Sequence, residues 1–211
     1  PAFIIDQNTR NKLIEQDPNN ATIIKPLLQG RNIRRWVYNQ GNEYLVFIPW
    51  HFPLHLNNSI TGASTKAEEC FIEQYPSLYK HLKQFQEGLS SRNKDETGIR
   101  YEWYALQRCA ATYYPEFEEE KIIWGLTADK WAFAYDNNKH YLPSNGYILT
   151  SKDAIKYLLA ILNSRLMEFY FDFIGIMTAG GAFTLKHDTI SKLPIYIASI
   201  EEQRPFEILV D

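Results

Sequence analysis

Residues 150–175 decide the expected fold, and they read TSKDAIKYLLAILNSRLMEFYFDFIG. Apolar side chains recur here at intervals of three and four, which places them on one face of a helix packed against a core. Thr150 and Asp153 have the spacing of a capping box, and Gly175 is placed to end the helix in a left-handed C-cap. We therefore predict one long amphipathic helix, whose core face carries Ile155, Leu158, Leu159, Leu162, Leu166, Phe169, Tyr170 and Phe173.

The chain before this helix alternates short β-type segments with helical ones. Residues 36–50 alternate polar and apolar side chains and predict a hairpin with its turn near residues 39–42. Residues 65–92 are helical by pattern, with an interruption at Tyr75 and Pro76. Short strands are expected near residues 121–124, 131–135 and 146–150.

This order of elements predicts the α+β class. The whole chain, residues 1–211, is expected to be a single domain, with a lobe at 1–149 that is mainly β with helices and a helical lobe at 150–211. Ser199 and Glu202 form a second capping-box pattern. Because the chain starts without Met and stops inside the helix that this pattern predicts, we expect an excised C-terminal fragment of a longer protein.

Charge, cysteine spacing and hydropathy limit the ligands and the cellular location that we expect for this chain. The 211-residue chain has a formal net charge of -3, so a nucleic-acid or anionic-membrane function needs a local basic patch. Cys70 and Cys109 are far apart and lack metal-site spacing, which is typical of a reduced, cytoplasmic compartment. The sequence contains no apolar run long enough to span a membrane and no signal peptide.

The sequence carries no familiar catalytic or metal-binding signature, such as a glycine-rich phosphate loop or a nucleophile elbow. His51 and His55 have the i, i+4 spacing of zinc ligands on a helix, but Pro53 between them excludes that helix. Glu119 and Lys121 form the E-x-K pattern of a metal-dependent nuclease, yet such a run is also typical of solvated charges before a strand. We therefore predict no catalytic and no metal-binding residues.

Basic residues form three groups along the chain. The second group is interleaved with Tyr101, Trp103 and Tyr104, and the third follows Gly180 and Gly181. Arg and Lys neutralise phosphates, Arg reads guanine edges, and aromatic rings stack on bases. An ordinary polar surface for each group, and a core position for the aromatic rings, are the alternatives. The groups are Lys25, Arg31, Arg34 and Arg35; Arg92, Lys94, Arg100 and Arg108; and Lys186, His187 and Lys192.

Several stretches together resemble a known family. In chain order they read IIKPLLQGRNIRRW, YPSLYKHLKQFQEGLSSR, GIRYEWYALQRC, EKIIWG, YLLAILNSRLMEFYF and LKHDTISKLPI. The chain is similar to the TaqI-like C-terminal specificity domain, the target-recognition part of adenine-N6 DNA methyltransferases and of fused type IIG restriction-modification enzymes. The similarity covers nearly the whole chain, and its most specific parts are framework motifs rather than catalytic ones.

The resemblance implies irregular, twisted β-structure followed by a helical hairpin, in a domain that docks on double-stranded DNA and selects the target site. A separate methyltransferase domain of the same polypeptide would bind S-adenosylmethionine and methylate the flipped adenine. This sequence lacks that cofactor's glycine motif and the Asn/Asp-Pro-Pro-aromatic motif, so we expect no cofactor and no catalysis in this chain. On chemical grounds, the predicted DNA contacts are Lys25, Arg31, Arg34, Arg35, Arg100, Trp103, Arg108, Lys186 and His187.

Three alternatives stay open. Arg31, as a framework-motif residue, would on one alternative serve an internal salt bridge. A protein-interaction or scaffolding module would use an exposed apolar patch without a basic rim, whereas a positive face favours DNA recognition. A metal-dependent nuclease built on Glu119 and Lys121 would need a second carboxylate nearby.

Overall fold

The computed structural model describes residues 2–92, 102–106 and 113–210. The chain forms two compact units, the first from Pro1–Pro26 and Asn42–Tyr114 and the second from Leu27–Gly41 and Pro115–Asp211. Each unit has its own hydrophobic core. The predicted lobe boundary at residue 149 does not coincide with this division, because strands before it and helices after it share one core.

The first unit combines a small sheet with helices. Its strands are β1 (Ile4–Asp6), β2 (Ile24–Leu27) and β3 (Glu43–Val46), and the strand order is β1–β3–β2. Ile5 of β1 lies opposite Tyr44 of β3 in an antiparallel pair. The helices are α1 (Gln7–Gln16), α2 (Thr65–Gln74), α3 (Pro76–Lys83) and α4 (Gln86–Ser90).

Local sequence explains where these helices begin. The Asp6 carboxylate and the Ser64 hydroxyl each accept a backbone N–H from the first turn and so cap α1 and α2. Pro76 lies in the first turn of α3, where its missing N–H has no helical partner to lose. The predicted interruption of the helical segment at Tyr75 and Pro76 is therefore confirmed.

The predicted hairpin over residues 36–50 is wrong. Glu43–Val46 is a strand, but it pairs with β1. Tyr38 instead forms an antiparallel bridge with Ile33. The alternating pattern misleads because its two halves belong to different units: residues up to 41 are part of the second unit and those from 42 onward are part of the first.

The second unit contains two small antiparallel sheets and the helices that follow them. The strands are β4 (Lys121–Gly125), β5 (Thr127–Ala128), β6 (Ala134–Asp136), β7 (Gly146–Thr150), β8 (Ile176–Met177) and β9 (Phe183–Thr184). The sheets have strand orders β6–β4–β7 and β5–β9–β8, and the three predicted strands correspond to β4, β6 and β7. The helices are α5 (Ile155–Leu162), α6 (Arg165–Ile174), α7 (His187–Ile190) and α8 (Ile200–Val210).

The predicted single helix over residues 150–175 is two helices, α5 and α6, with a break at Asn163 and Ser164. Asn163 is buried, and its side chain accepts the Phe133 amide at 3.1 Å and donates to the Phe133 carbonyl at 2.9 Å. Ser164 caps α6 by accepting the Met167 amide. Asn and Ser favour such bonds over a helix interior, so two polar residues end the helix that the apolar period would continue.

Both predicted ends of the long helix are also corrected. Thr150 closes β7 and makes no capping box with Asp153, and α5 begins after Ala154, whose φ is 66°. Gly175 does end α6, but its φ of -85° is not left-handed. A Cβ on Gly175 would lie 2.0 Å from the ring of Phe171, so the residue must be glycine to admit that ring.

The capping box predicted for α8 is confirmed. The Ser199 amide donates to the Glu202 carboxylate at 2.8 Å, and the Glu202 amide donates to the Ser199 hydroxyl at 3.4 Å. The backbone hydrogen bond from Ser199 lowers the pKa of Glu202 below its usual value. The carboxylate is therefore ionised at neutral pH, which favours the start of α8.

Helix α6 exposes all four residues predicted for its core face, including Tyr170 at 38%. Met167 and Phe171 are buried, whereas Leu166, Phe169 and Phe173 are 66%, 60% and 71% exposed. The two non-helical residues before α6 reset its helical phase, so a face extrapolated from α5 points the wrong way. We call the exposed trio the apolar face of α6.

The predicted α+β class is confirmed, because short antiparallel strands precede a helical C-terminal part in which α5 packs against α6 and α8. Among the residues that the structure describes, no helix is long and apolar enough to cross a lipid bilayer.

Candidate nucleic-acid interface

The arginine turn (residues 34–37) is a tight reversal in the second unit. Ile33 and Tyr38 close it as an antiparallel bridge. Trp36 has a φ of 78°, a conformation that residues other than glycine rarely adopt. A backbone in this conformation persists only where its surroundings hold it.

Two hydrogen bonds fasten the arginine turn and its closing residue to the sheet of the second unit. The Trp36 amide donates to the Phe133 carbonyl at 2.9 Å, and the Tyr38 hydroxyl donates to Asp136 at 3.1 Å. Burial raises the pKa of Tyr38 to about 12, so its phenol keeps the proton that it donates. The turn therefore presents Arg34 and Arg35 from a fixed backbone.

Asp136 lies at the centre of a buried polar network. Lys121 Nζ lies 2.7 Å from one carboxylate oxygen and His140 Nδ1 lies 2.8 Å from the other. Burial raises the pKa of Asp136, but hydrogen bonds from His140 and Lys121, with the Lys121 charge, outweigh burial and hold that pKa well below its usual range. Asp136 is therefore an ionised acceptor for Tyr38.

A groove with a volume of about 900 Å³ lies beside the arginine turn, and all its lining residues belong to the second unit. Two backbone segments meet in its lining, where a Cβ on Gly125 would come within 3.3 Å of the Gly30 Cα. Glycine at both positions permits this close approach. The charged side chains that line the groove are Arg31, Arg34, Arg35, Asp129, Lys130 and Glu168.

The groove concentrates positive charge in a chain that is negative overall. Four cationic side chains and two carboxylates give its lining a formal charge of +2, whereas the whole chain carries -3. Low-dielectric walls focus the field of charges that line a cleft. The local basic patch that a polyanionic ligand requires is therefore present.

The four cations are held in different ways. Arg34 donates to two backbone carbonyls, at 2.6 and 2.8 Å, and so braces the turn. Arg35 pairs with Glu168 at 2.5 Å, and the two side chains are 34% and 35% exposed. Arg31 and Lys130 are exposed and have no side-chain partner among the described residues, so the salt-bridge alternative for Arg31 is not realised there.

Arg31, Arg34 and Arg35 are thus the predicted DNA contacts that the structure brings together. Arg100 and Arg108 lie outside the described residues.

Three other predicted contacts do not line this groove. Lys25 lies half-buried in β2. Lys186 is exposed at the N-cap position of α7, and its side chain makes no capping hydrogen bond to the described residues. The adjacent His187 lines a separate, mainly apolar cavity of about 330 Å³. Their contact with DNA stays a prediction.

Trp103, predicted as a DNA contact, belongs instead to the core of the first unit. Its side chain is 6% exposed, its indole N–H donates to Glu68 at 3.1 Å, and its ring packs edge-on against Tyr79. A base cannot stack on a buried ring. Arg92, from the same basic group, donates to the Trp103 and Ala105 carbonyls at 2.8 and 2.9 Å.

The described residues include no group of three or more His, Cys, Asp or Glu side chains placed to hold a metal ion. The rings of His51 and His55 lie 5.2 Å apart on a turn, and burial lowers the pKa of both. Lys121 of the E-x-K pattern is not a solvated charge, and no metal-holding group of this size lies beside it among the described residues. Lys121 is fully buried against Asp136.

Half of the charged side chains that line the groove are not indicated by any local sequence pattern. Asp129 and Lys130 follow β5, and Glu168 lies on α6, so a search for local basic clusters cannot connect them with Arg31. A signal was available in the framework motifs LLQGRNIRRW and EKIIWG, which contain the two close-packed glycines.

Two comparisons with known proteins identify the family and the fold of this chain. The sequence profile of the TaqI-like C-terminal specificity domain matches residues 25–195. A solved structure, "Structure of Type IIL restriction-modification enzyme MmeI in complex with DNA has implications for engineering of new specificities", has a TM-score of 0.62 and 11% sequence identity to this chain. At this identity the likeness concerns the fold alone. No curated protein matches the sequence significantly.

The structural similarity covers 99% of this chain and 25% of the MmeI chain, so this chain spans about a quarter of that neighbour's length. The family profile, in contrast, covers most of the chain and includes the arginine turn and both groove glycines. The chain belongs to the family of TaqI-like C-terminal specificity domains.

Proposed function

We propose that this chain is the DNA target-recognition domain of a restriction-modification adenine-N6 DNA methyltransferase. The observation that carries the proposal is the groove, which gathers four cations in a chain of net charge -3. Lys and Arg side chains that neutralise phosphates supply the sequence-independent part of DNA affinity. Membership of a specificity-domain family supports this ligand, as does the DNA bound in the MmeI structure.

On this proposal the groove sets the register of the duplex. Arg31 and Lys130 are exposed and have no described partner, so they suit phosphate oxygens. Arg34 is committed in part to backbone carbonyls and keeps the shape of the arginine turn. Phosphate contacts of this kind position a protein on DNA without reading its sequence.

Methylation would be carried out by a separate domain of the same polypeptide, where S-adenosylmethionine would bind. The groove does not fit that cofactor, because its net positive lining opposes the positive sulfonium. The sequence also lacks the cofactor's glycine motif. We therefore assign to this chain the positioning of the target site and to the other domain the chemistry on the flipped adenine.

Fluorescence anisotropy with a random-sequence duplex, measured across a salt series, tests this proposal. We expect binding whose log–log slope against salt is about -0.9 for each neutralised phosphate. The double variant Arg31→Ala/Lys130→Ala should bring the slope about 1.8 closer to zero. Arg204→Ala, which removes an exposed arginine of α8, is the matched control. Absence of binding at low salt would overturn the proposal for this chain.

The second candidate function is a protein-interaction module, which the apolar face of α6 favours. Leu166, Phe169 and Phe173 are more than half exposed on neighbouring turns of one helix. Exposed apolar clusters of this kind are common at protein contacts. The methyltransferase domain of the same polypeptide is the partner that we propose for this face.

Serine substitutions at Phe169 and Phe173 separate the two candidates. If the apolar face docks on the methyltransferase domain, the double variant should reduce the association of this chain with that domain, added as a separate protein, in sedimentation velocity. DNA anisotropy should stay unchanged, because neither residue lines the groove. A loss of DNA binding in a variant with unchanged circular dichroism would instead show that the apolar face is part of the DNA-binding site.

A further inference from the structure

The groove contains two kinds of arginine. Arg31 is exposed and has no partner among the described residues, whereas Arg35 is ion-paired with Glu168 at 2.5 Å. A paired arginine adds little to the attraction for phosphates, because the carboxylate cancels its charge at a distance. Its remaining N–H groups still donate hydrogen bonds. The two arginines are therefore suited to different tasks.

Arg35 is also the better fixed of the two. It lies in the arginine turn, whose backbone is fastened by the bond from the Trp36 amide to Phe133. Its Nε is buried without a hydrogen-bond partner among the described residues, and its terminal nitrogen Nη2 donates to Glu168, which lies in the first turn of α6. Each additional contact restricts a rotatable bond of a long side chain, so less entropy is lost when the side chain binds a ligand.

We propose that Arg35 reads a guanine through the major-groove edge of the duplex and that Glu168 is the positioning residue that orients its guanidinium. This inference rests on the proposed function. Guanine offers the O6 and N7 acceptors that match a guanidinium, and this pair is the commonest specific contact between proteins and DNA bases. A carboxylate that holds the guanidinium in one plane favours this planar contact over a phosphate contact.

On this proposal, the unpaired cations and the neutral ion pair of the groove have different roles. Arg31 and Lys130 supply salt-dependent affinity that is the same for every sequence. The neutral pair of Arg35 and Glu168 supplies base preference and contributes almost nothing to the salt dependence. Salt slope and base preference are separate measurements, so this division can be tested directly.

The test uses the 211-residue chain and a library of random-sequence duplexes, from which bound molecules are selected and sequenced. The main variant is Arg35→Met/Glu168→Gln, which removes the guanidinium and the carboxylate together and leaves the net charge unchanged. Methionine keeps an apolar stem in place of the arginine stem, and it cannot read adenine as glutamine does. Salt slopes are measured on the unselected library by fluorescence anisotropy.

We expect the unchanged chain to select a site with at least one guanine. The double variant should lose preference for guanine at one position by about 5- to 150-fold, which corresponds to the discrimination of one bidentate pair. Its salt slope should stay that of the unchanged chain. Glu168→Gln alone should also weaken the guanine preference, while random-duplex affinity rises because Arg35 is freed for phosphates.

Two matched controls separate positioning from folding. Asp172→Asn removes an exposed carboxylate one turn beyond Glu168 on α6, and Arg204→Ala removes an exposed arginine on α8. Neither should change base preference. Arg35→Lys preserves the charge next to Glu168 but lacks the planar fork of donors, so it should weaken guanine preference less than the double variant does and keep the thermal unfolding temperature.

The outcomes distinguish this inference from the proposed function. If the unchanged chain binds no duplex, the proposed function fails. Binding with no guanine-selecting position, or a double variant that keeps the full guanine preference, overturns the reading role of Arg35 and leaves DNA binding intact. A double variant that loses salt dependence together with preference would make Arg35 a phosphate contact.

Discussion

Arg92 in the first unit and Arg31 in the second both come from basic stretches that include aromatic residues, but their environments are opposite. Arg92 donates to the carbonyls of Leu89, Trp103 and Ala105 at 2.8 to 2.9 Å. Arg31 is exposed on the groove and has no partner among the described residues. The first arginine holds loops together, and the second is available for an external anion.

The difference lies in the acceptors around each cation, not in the composition of its segment. A guanidinium surrounded by carbonyls is satisfied within the fold, and one without acceptors keeps its charge for a ligand. Lys121 is the extreme of the first kind, because a buried carboxylate and carbonyls take up its hydrogen bonds. Removing a cation should therefore affect stability or binding according to its partners.

Lys121→Met should produce the largest effect on stability. It leaves the buried Asp136 carboxylate without its 2.7 Å cation, and breaking a buried ion pair in this way costs about 3–5 kcal/mol. The free energy of unfolding from a urea titration measures the loss, and hydrogen exchange of the β4 amides assigns it to the second unit. Lys139→Met is the control, because that lysine is 61% exposed and 3.8 Å from Glu118. Equal losses of stability in Lys121→Met and Lys139→Met would contradict the distinction between buried, paired cations and exposed ones.

Acid should remove the same interaction by protonating Asp136. The native pKa of Asp136 lies below its usual value, so the unfolded chain takes up the proton at a higher pH than the native protein. The stabilisation is therefore full above about pH 4 and is lost as the pH falls toward the native pKa. Unfolding titrations between neutral pH and about pH 3 should show a flatter acid limb for Asp136→Asn than for the exposed control Asp172→Asn.

Arg92→Met should have the next largest effect, located in the first unit. It removes three hydrogen bonds from a charged donor to backbone carbonyls, and each such bond is worth about 1.5–3 kcal/mol. Because water replaces part of them, we expect the free energy of unfolding to fall by about 2–3 kcal/mol. Urea unfolding measures this loss, with Arg204→Met as the exposed control. The salt slope of DNA binding should not change, and a changed slope would show that Arg92 also serves the ligand.

The same contrast explains which parts of the site could be predicted from sequence. Arg31, Arg34 and Arg35 form a short run without acidic neighbours, and such a run is visible in any linear search. Lys130 and Glu168 reach the same groove from distant elements, and no local pattern encodes that proximity. Local clustering therefore identified one wall of the groove and missed the other.

The errors in the fold have a similar origin. The apolar period over residues 150–175 correctly predicts helical structure. It does not predict the break at Asn163, because that break depends on hydrogen bonds from the Asn163 side chain to the distant backbone of Phe133. The capping box at Ser199 is predicted correctly, whereas the same three-residue spacing at Thr150 and Asp153 misleads because Thr150 belongs to β7. Trp103 was open to two interpretations because an aromatic side chain suits a core as well as a base. Long-range partners decide such cases, and a single sequence does not contain them.

Arg31→Ala should have the smallest effect on stability and the clearest effect on binding. The free energy of unfolding should change by less than about 0.5 kcal/mol, because an exposed side chain without a partner contributes little to the fold. The salt slope of binding to a random duplex should move about 0.9 closer to zero, which is the loss of one phosphate contact. The affinity loss should be uniform across sequences, unlike the loss expected for Arg35→Met/Glu168→Gln. A stable variant with an unchanged slope would show that an exposed, unpartnered arginine in the groove does not suffice for a phosphate contact.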